Sequence, residues 1–395
     1  MDALLLVCLA LVLYTYLGYP LALAAWTGWR EALEGARFVM GGPDRRARRD
    51  EARWPSLSVV VPAHDEEACI QQKVENCLRL DYPADRLEVL VGCDGCADRT
   101  AELARATGDP RVTVVEGPRS GKAAVLSKLV PRAQGEVVLL TDANVMLDAR
   151  AAKALARHFR DPAVGAVVGR LRLYNRVKRD FEESLYWKYE SLLKYFEGKL
   201  DCVLGANGGI YAVRRLLFRP LRETTIVDDF VVPVRIASHG WRIPYEPDAI
   251  AFEETTEDLN HEFERHARIG AGNWQALALV PAVLDPRAGF LCFAFVSHKL
   301  LRWLVPLFLG LALLLSFALA ARGDLFASLV LAGQLAFYGL ALAARVGLRG
   351  RLRRLASAAL YFVTMNVALA VGLWRFARGT QRAAWRRTER PVHVG

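Results

Sequence analysis

The sequence predicts an α/β domain with a mainly parallel sheet, attached to transmembrane α-helices. Four uncharged apolar stretches, Ala3–Trp26, Trp303–Ala321, Leu325–Ala344 and Leu355–Trp374, predict the membrane part. Between the first and second, short apolar runs alternate with helix-like segments, the pattern of a sheet covered by helices on both faces. Acidic and glycine-containing motifs follow those runs directly, where ligands bind in such sheets.

Each apolar stretch is long enough to cross a hydrocarbon core of ~30 Å at about 1.5 Å per helical residue. In lipid a helix satisfies its own backbone groups, which favours transmembrane helices over buried core helices. The first stretch begins Met1-Asp2, without a basic n-region, and exceeds the usual length of a signal-peptide core, so an uncleaved anchor is expected. Of the 395 residues, 53% are apolar and the formal net charge is +10. Eleven arginines and one glutamate between Arg345 and Gly395 account for that excess. The charge therefore lies beside membrane helices, where it orients the chain and meets anionic lipid; it does not imply nucleic acid.

The boundaries read as an anchor at 1–26, a basic linker at 27–54, a soluble domain at 55–281, an interfacial helix at 282–302, about three transmembrane helices at 303–376 and a basic tail at 377–395. Arg45-Arg46-Ala47-Arg48-Arg49 marks the linker as cytoplasmic. With that end inside, four spans put Arg375–Arg390 outside, against the positive-inside rule. One of the last three segments is then re-entrant or interfacial.

In the soluble block, strands are expected at Leu57–Val61, Leu87–Val91, Val112–Val115 and Val137–Leu140. Helices are expected at Glu66–Leu80, Asp98–Thr107, Lys122–Arg132 and Ala149–Phe159. Asp180–Phe196 is rich in Tyr, Trp and Phe and reads as a helix, touching acceptor or membrane or simply packed. Seven cysteines include a single Cys93-Asp94-Gly95-Cys96 spacing. With no second such pair and no histidines at finger spacing, they read as reduced packing residues.

Five motifs carry chemistry. Pro62-Ala63-His64-Asp65-Glu66-Glu67 ends a strand in a turn; helix capping explains Asp65 and Glu66 equally. In Gly92-Cys93-Asp94-Gly95-Cys96-Ala97-Asp98, capping explains Asp98, while Asp94 is placed to accept hydrogen bonds from a ligand. Gly117-Pro118-Arg119-Ser120-Gly121-Lys122 is one residue short of a P-loop and lacks its hydroxyl, which excludes an ATPase of that type. It remains a basic loop suited to a diphosphate. Thr141-Asp142-Ala143-Asn144 puts hard oxygen donors at a strand tip, suited to Mg²⁺ or Mn²⁺. Asp228-Asp229 before an apolar run supplies carboxylates that burial would push towards general-base behaviour, or an N-cap.

In this order the motifs resemble glycosyltransferase family 2, with its nucleotide-sugar-binding GT-A fold, over roughly Leu57 to Leu279. The membrane setting is similar to poly-N-acetylglucosamine, hyaluronan and cellulose synthases. The resemblance implies donor contacts from Pro62, Ala63, His64, Glu66, Asp94, Lys122 and Asp142, and a divalent cation on Asp142 and Asn144. It implies Asp229 as base with Asp228 beside it, and an acceptor-side turn at Gly205-Ala206-Asn207-Gly208-Gly209, with Asn207 and Gly208 meeting the acceptor. Asp65 stands where Asn is commoner, Cys93 where Asp is frequent, and Asn144 replaces a carboxylate. Of the QxxRW motif of processive synthases only Trp274 survives, as an acceptor platform or a packing residue. Arg265 and Arg268 read as diphosphate contacts or solvated charges.

The implied function is inverting transfer from a nucleotide sugar, expected to be a UDP-sugar, to a growing polysaccharide. The alternatives are addition of a single sugar to a lipid or lipid-linked acceptor, and an inactive membrane scaffold of the same fold. Expected partners are the donor, a glycan or lipid-linked acceptor, membrane lipids and polysaccharide-export subunits. The expected place is the inner membrane, multi-pass, with the catalytic domain in the cytoplasm.

Overall fold

The computed structural model describes residues 1–40, 54–174, 185–254, 259–346 and 350–381. It forms two compact units, one holding Leu23–Glu257 with Leu279–Cys292, the other Met1–Ala22, Asp258–Ala278 and Phe293–Gln381. The helices along the chain begin with α1 (Asp2–Leu13), α2 (Tyr19–Val39), α3 (Ile70–Leu78), α4 (Thr100–Arg105) and α5 (Lys122–Leu129). They continue with α6 (Ala151–Ala156), α7 (Leu185–Lys199), α8 (Asp228–Ala237) and α9 (Leu259–Leu279), then α10 (Phe290–Ala294), α11 (Leu301–Ala320), α12 (Leu325–Ala343) and α13 (Gly350–Ala377).

The larger unit is built on eight strands: β1 (Leu57–Ala63), β2 (Leu87–Asp94), β3 (Val112–Gly117), β4 (Val137–Leu140), β5 (Val145–Leu147), β6 (Ala166–Tyr174), β7 (Tyr211–Arg214) and β8 (Tyr245–Glu254). Their order in the sheet is β3-β2-β1-β4-β7-β6-β8-β5. β1 and β4 are buried at every residue, which is why they are continuous apolar runs: helices cover both faces of the parallel half. Val59, Val61, Val89, Val91, Val137 and Leu139 pack with Ile70, Val74 and Cys77 of α3 in one core.

The α/β expectation holds. The four strands expected from sequence are present, and the pairings among β1, β2, β3 and β4 are parallel. Four further strands extend the sheet through three antiparallel pairings, β4 with β7, β6 with β7 and β5 with β8, and one parallel pairing, β6 with β8. β5 is only three residues long and sits in a turn-rich segment, so it has no visible period of its own.

The anchor departs from the expected boundary. Its helix runs from Asp2 to Arg37 without a break, so residues expected in the linker are helical. Arg30 donates to Glu34 four residues on, a spacing that stabilises a polar helical turn. Arg45–Arg49 and most of the basic tail lie outside the described residues. The segment expected as an interfacial helix starts with two short turns, Pro281–Leu284 and Pro286–Ala288, and then becomes one helix from Phe290 to Ala320. Within the described part of Asp180–Phe196, the expected helix is α7.

Four helices are long and apolar enough to cross a membrane: Asp2–Arg37, Phe290–Ala320, Leu325–Ala343 and Leu352–Ala377. Within the smaller unit, Leu5 and Cys8 of α1 pack with Ala312, Leu315 and Leu319 of α11 and Ala327 of α12. Leu314, Phe317, Leu325 and Leu329 are exposed on the same helices, the mark of a surface that meets hydrocarbon. α9 and α13 approach at Gly270 and Gly372. A Cβ on Gly372 would come within 2.6 Å of the Ala267 carbonyl oxygen, so only glycine permits this crossing.

Candidate active site

The first carboxylate comes from the turn between β4 and β5. That turn, Thr141–Asn144, closes through the Val145 amide donating to the Asp142 carbonyl at 3.2 Å. It is braced from inside the core by Lys73 of α3, whose ammonium donates to Thr141 Oγ1 at 2.9 Å and to the Val145 carbonyl. Burial pulls the Lys73 pKa down, opposed by Cys77 and Asp142. Asn144 donates from its amide to Glu253 Oε1 of β8 at 3.3 Å.

The second and third carboxylates, Asp228 and Asp229, occupy the first turn of α8, where the helix dipole favours negative charge. The glycine turn Gly205–Gly209 is tied to them, with the Ala206 amide donating to the Asp229 carbonyl at 2.7 Å. Between these elements lies Lys122, the first residue of α5. Its Nζ is 2.7 Å from Asp142 Oδ1 and 3.5 Å from Asp228 Oδ2. Burial lowers the Lys122 pKa, but Asp142, Asp228 and Asp229 outweigh it and hold the ammonium charged.

Asp228 feels the opposite balance. Burial raises its pKa, Lys122 lowers it, and Asp229 and Asp142 raise it again, leaving it pushed up to about 6. Beside it the Tyr211 hydroxyl, at the start of β7, is buried; burial and then the three aspartates push it well above the usual phenol range. Apart from the Lys122 ammonium, Asp142 Oδ1 and Asp228 Oδ2 are buried atoms with no hydrogen-bond partner among the described residues.

Gly208 keeps space open over this centre. A Cβ there would stand 3.3 Å from Lys122 Nζ, 3.4 Å from Asp142 Oδ2 and 3.4 Å from Asp229 Oδ2. Its neighbour Asn207 is fixed from both sides: Lys194 of α7 donates to Oδ1, and Nδ2 donates to the Gly169 carbonyl at 3.3 Å. Lys122, Asp142, Asp228, Asp229 and Gly208 thus meet in one place.

The residues expected on the donor side form a second group at the tips of β1 and β2. Pro62 and Ala63 are buried in β1, paired with Gly92 and Cys93. His64 Nδ1 is 2.8 Å from the Asp94 carbonyl. Glu66 is buried, and its Oε2 accepts from the Cys69 thiol at 3.2 Å. Asp94 is fully buried and spent within the protein: Ser120 N donates to Oδ1 at 2.6 Å, and Gly121 N and Arg119 donate to Oδ2 at 2.9 and 3.1 Å. Its carboxylate holds the 119–121 loop in place and so positions Lys122. Gly95, at φ 60°, packs so close that a Cβ would meet the Arg119 amide at 2.7 Å.

Trp274 lies in the smaller unit, on α9, with its ring centroid 5.8 Å from that of Trp303. Arg265 lies on the same helix, 3.5 Å from Glu262. Lys73, Tyr211 and Glu253 escaped the sequence reading. Lys73 stands among polar helix residues, Tyr211 opens a four-residue strand and Glu253 lies beside Glu254, so only the pairings of β4 with β7 and β5 with β8 reveal what they face.

A family model described as glycosyltransferase like family 2 matches residues 55–272 of this chain. The chain belongs to that family. The family-2 match covers all eight strands and ends in α9. Among curated relatives, β-monoglucosyldiacylglycerol synthase of Synechocystis is 27% identical over 279 residues, covering 62% of this chain and 56% of the relative. Poly-β-1,6-N-acetyl-D-glucosamine synthase of Staphylococcus aureus is 24% identical over 237 residues, covering 56% of this chain and 55% of the relative. The chain thus spans little more than half the length of these curated relatives. A solved structure, a mannosyltransferase of Pyrobaculum calidifontis in complex with GDP-Man and Mn²⁺, superposes with a TM-score of 0.66 and is 27% identical. That match covers 95% of this chain and 99% of the mannosyltransferase.

Proposed function

We propose that this chain is a membrane-bound, inverting glycosyltransferase that moves a sugar from a nucleoside-diphosphate sugar to an acceptor presented at the bilayer. The convergence of Lys122, Asp142, Asp228 and Asp229 beneath Gly208 carries this reading. An inverting displacement needs positive charge on the leaving diphosphate and a carboxylate on the acceptor side. Asp229 is the base: it is partly exposed and borders the space that Gly208 leaves open, whereas Asp228 is buried. Asp228 shapes the local charge, and Lys122 meets the donor phosphates.

The donor set also fits a hard divalent cation, Mg²⁺ or Mn²⁺. Asp142 Oδ1 is buried with no hydrogen-bond donor other than the Lys122 ammonium. The amide nitrogen of Asn144 is used by Glu253, which leaves its oxygen as the atom suited to a cation. When bound, the cation offsets the charge that builds on the departing nucleoside diphosphate. The mannosyltransferase bound to GDP-Man and Mn²⁺ supports both the cation and a nucleoside-diphosphate donor. The sequence resemblance favours uridine as the nucleoside and that relative favours guanosine, so both are tested.

The acceptor has two readings. A growing polysaccharide is supported by the similarity to the Staphylococcus synthase. Single addition to a lipid-linked acceptor is supported by the Synechocystis glycolipid synthase and by Trp274, whose indole packs against Trp303. The four apolar helices support a multi-pass place in the membrane, with the larger unit on the cytosolic side where nucleotide sugars are found.

The test is purified full-length protein, UDP- and GDP-sugars, Mn²⁺ and a bacterial lipid extract, with sizing of the labelled product. A ladder supports polymer synthesis, and one lipid-soluble species supports single addition. Absence of both transfer and Asp229-dependent donor hydrolysis would leave only the inactive scaffold.

A further inference from the structure

We propose that His64, Asp65 and Cys96 form a second cation site, of a kind suited to Zn²⁺ and separate from the carboxylate centre. His64, Asp65 and Cys96 each offer one ligand atom, these atoms all lie within 4.8 Å of one another, and each residue is partly exposed. The ligand set joins two chain segments, the turn after β1 and the turn after β2. It is not a finger: only one cysteine of Cys93-Asp94-Gly95-Cys96 takes part, with two ligands from some thirty residues earlier.

The histidine is oriented as a ligand would be. Its Nδ1 lies 2.8 Å from the Asp94 carbonyl oxygen, which can only accept, so Nδ1 carries the hydrogen. In the neutral ring Nε2 then presents a bare lone pair, and it faces Asp65 Oδ2 at 3.4 Å. A metal cation between them would satisfy both acceptors; a proton on Nε2 would make an ion pair instead, and titration with Co²⁺ separates the two. A metal-ligating histidine donates its other N–H to a carbonyl or carboxylate in this way, which fixes the tautomer.

The other two ligands are also held in place. Asp65 Oδ1 accepts from the Ala97 amide at 2.8 Å, which leaves Oδ2 as the free oxygen. Cys96 Sγ lies 3.6 Å from the Ala63 carbonyl oxygen; on ligation the thiol gives its proton to solvent and Sγ turns to the cation. One nitrogen, one carboxylate oxygen and one sulfur suit a borderline-soft cation, whereas the oxygen-only centre at Asp142 suits a hard one. Three protein ligands leave a fourth position for water. The bound cation would clip the two strand-tip turns together.

Co²⁺ is the probe, because it substitutes for Zn²⁺ and reports a thiolate ligand by absorbance. Full-length protein in detergent, reduced with a non-thiol reagent, is titrated with Co²⁺. The expected result is a sulfur-to-cobalt band that saturates at one equivalent. It is retained in Asp142→Ala, lost in Cys96→Ser, and weakened in apparent affinity by at least about tenfold in His64→Asn. Zn²⁺ should abolish the band by competition and raise the Tm of wild type but not of Cys96→Ser. Wild-type protein without a thiolate band, or a band of equal strength in Cys96→Ser, overturns the proposal. The readout does not depend on transfer activity, so it stands or falls apart from the catalytic reading.

Discussion

The ammonium of Lys122 sits 2.7 Å from the Asp142 carboxylate, joining the first turn of α5 to the turn after β4. Replacing it by methionine leaves Asp142 and Asp228 without their shared counter-charge. The two side chains of that pair are 20% and 23% exposed, which puts the loss below the roughly 3–5 kcal/mol of a fully buried pair. Lys122→Met should therefore unfold at lower temperature, and Mn²⁺ should raise its Tm more than that of wild type. Thermal melts with and without the cation check this.

Asp229→Asn should retain donor binding and lose transfer by about 10²- to 10⁴-fold, the usual contribution of a positioned base. Calorimetry of donor binding beside single-turnover kinetics separates the two effects. Wild-type turnover by the variant would remove Asp229 from its assigned role.

Gly208→Ala tests the open space. The added methyl would stand 3.3 to 3.4 Å from Lys122, Asp142 and Asp229, tight but short of a clash. Its Tm should stay close to that of wild type while kcat falls by at least about tenfold, because small displacements of reacting groups are costly.

Asp228 supplies a pH signature. Its folded pKa is raised to about 6 from 3.8, so the folded protein holds the proton more tightly than the unfolded chain. The stability this contributes is fully present below pH 3.8 and is lost as pH rises through about 6. Asp228→Asn, which keeps a neutral side chain at every pH, should be more stable than wild type at pH 8 by on the order of 1 kcal/mol or more. The gap should close by pH 4. Melts of both proteins across that range provide the measurement.

Asp94→Ala should loosen the loop that carries Lys122. It leaves the Ser120 and Gly121 amides without their acceptor, at roughly 1–3 kcal/mol for each buried group left unpaired. Faster amide exchange confined to residues 119–121, with a raised KM for donor, is the expected result.

Much of this arrangement was legible in the chain. β1 and β4 are short apolar runs because helices cover both their faces, and acidic motifs at their ends marked the site. Asp142, Asp228, Asp229 and Lys122 could be named from local motifs, and Gly208 from the family resemblance. The strands β6, β7 and β8 were not legible, since their pairings join residues far apart in sequence and their alternation is irregular. β8 in particular is shifted in register against β6 between Gly169 and Arg170.

Asp94 shows the limit of motif reading at a single residue. An aspartate after a buried strand looks like a ligand contact, yet its hydrogen bonds go to a loop twenty-six residues on. The same limit applies to Lys73, a helix residue whose partners, Thr141 and Val145, lie across the core.

The sequence alone determined the apolar spans, the strand-and-helix alternation of the first half and the residue types of the carboxylate–lysine cluster. Those depend on local periodicity and composition, which the chain carries in order. Only the tertiary structure decided which charges compensate one another, which aspartate is buried and which is reached, and that His64 faces Asp65 and Cys96. Those are distances across the fold, and burial and Coulomb energy depend on distance in space, not on position in the chain.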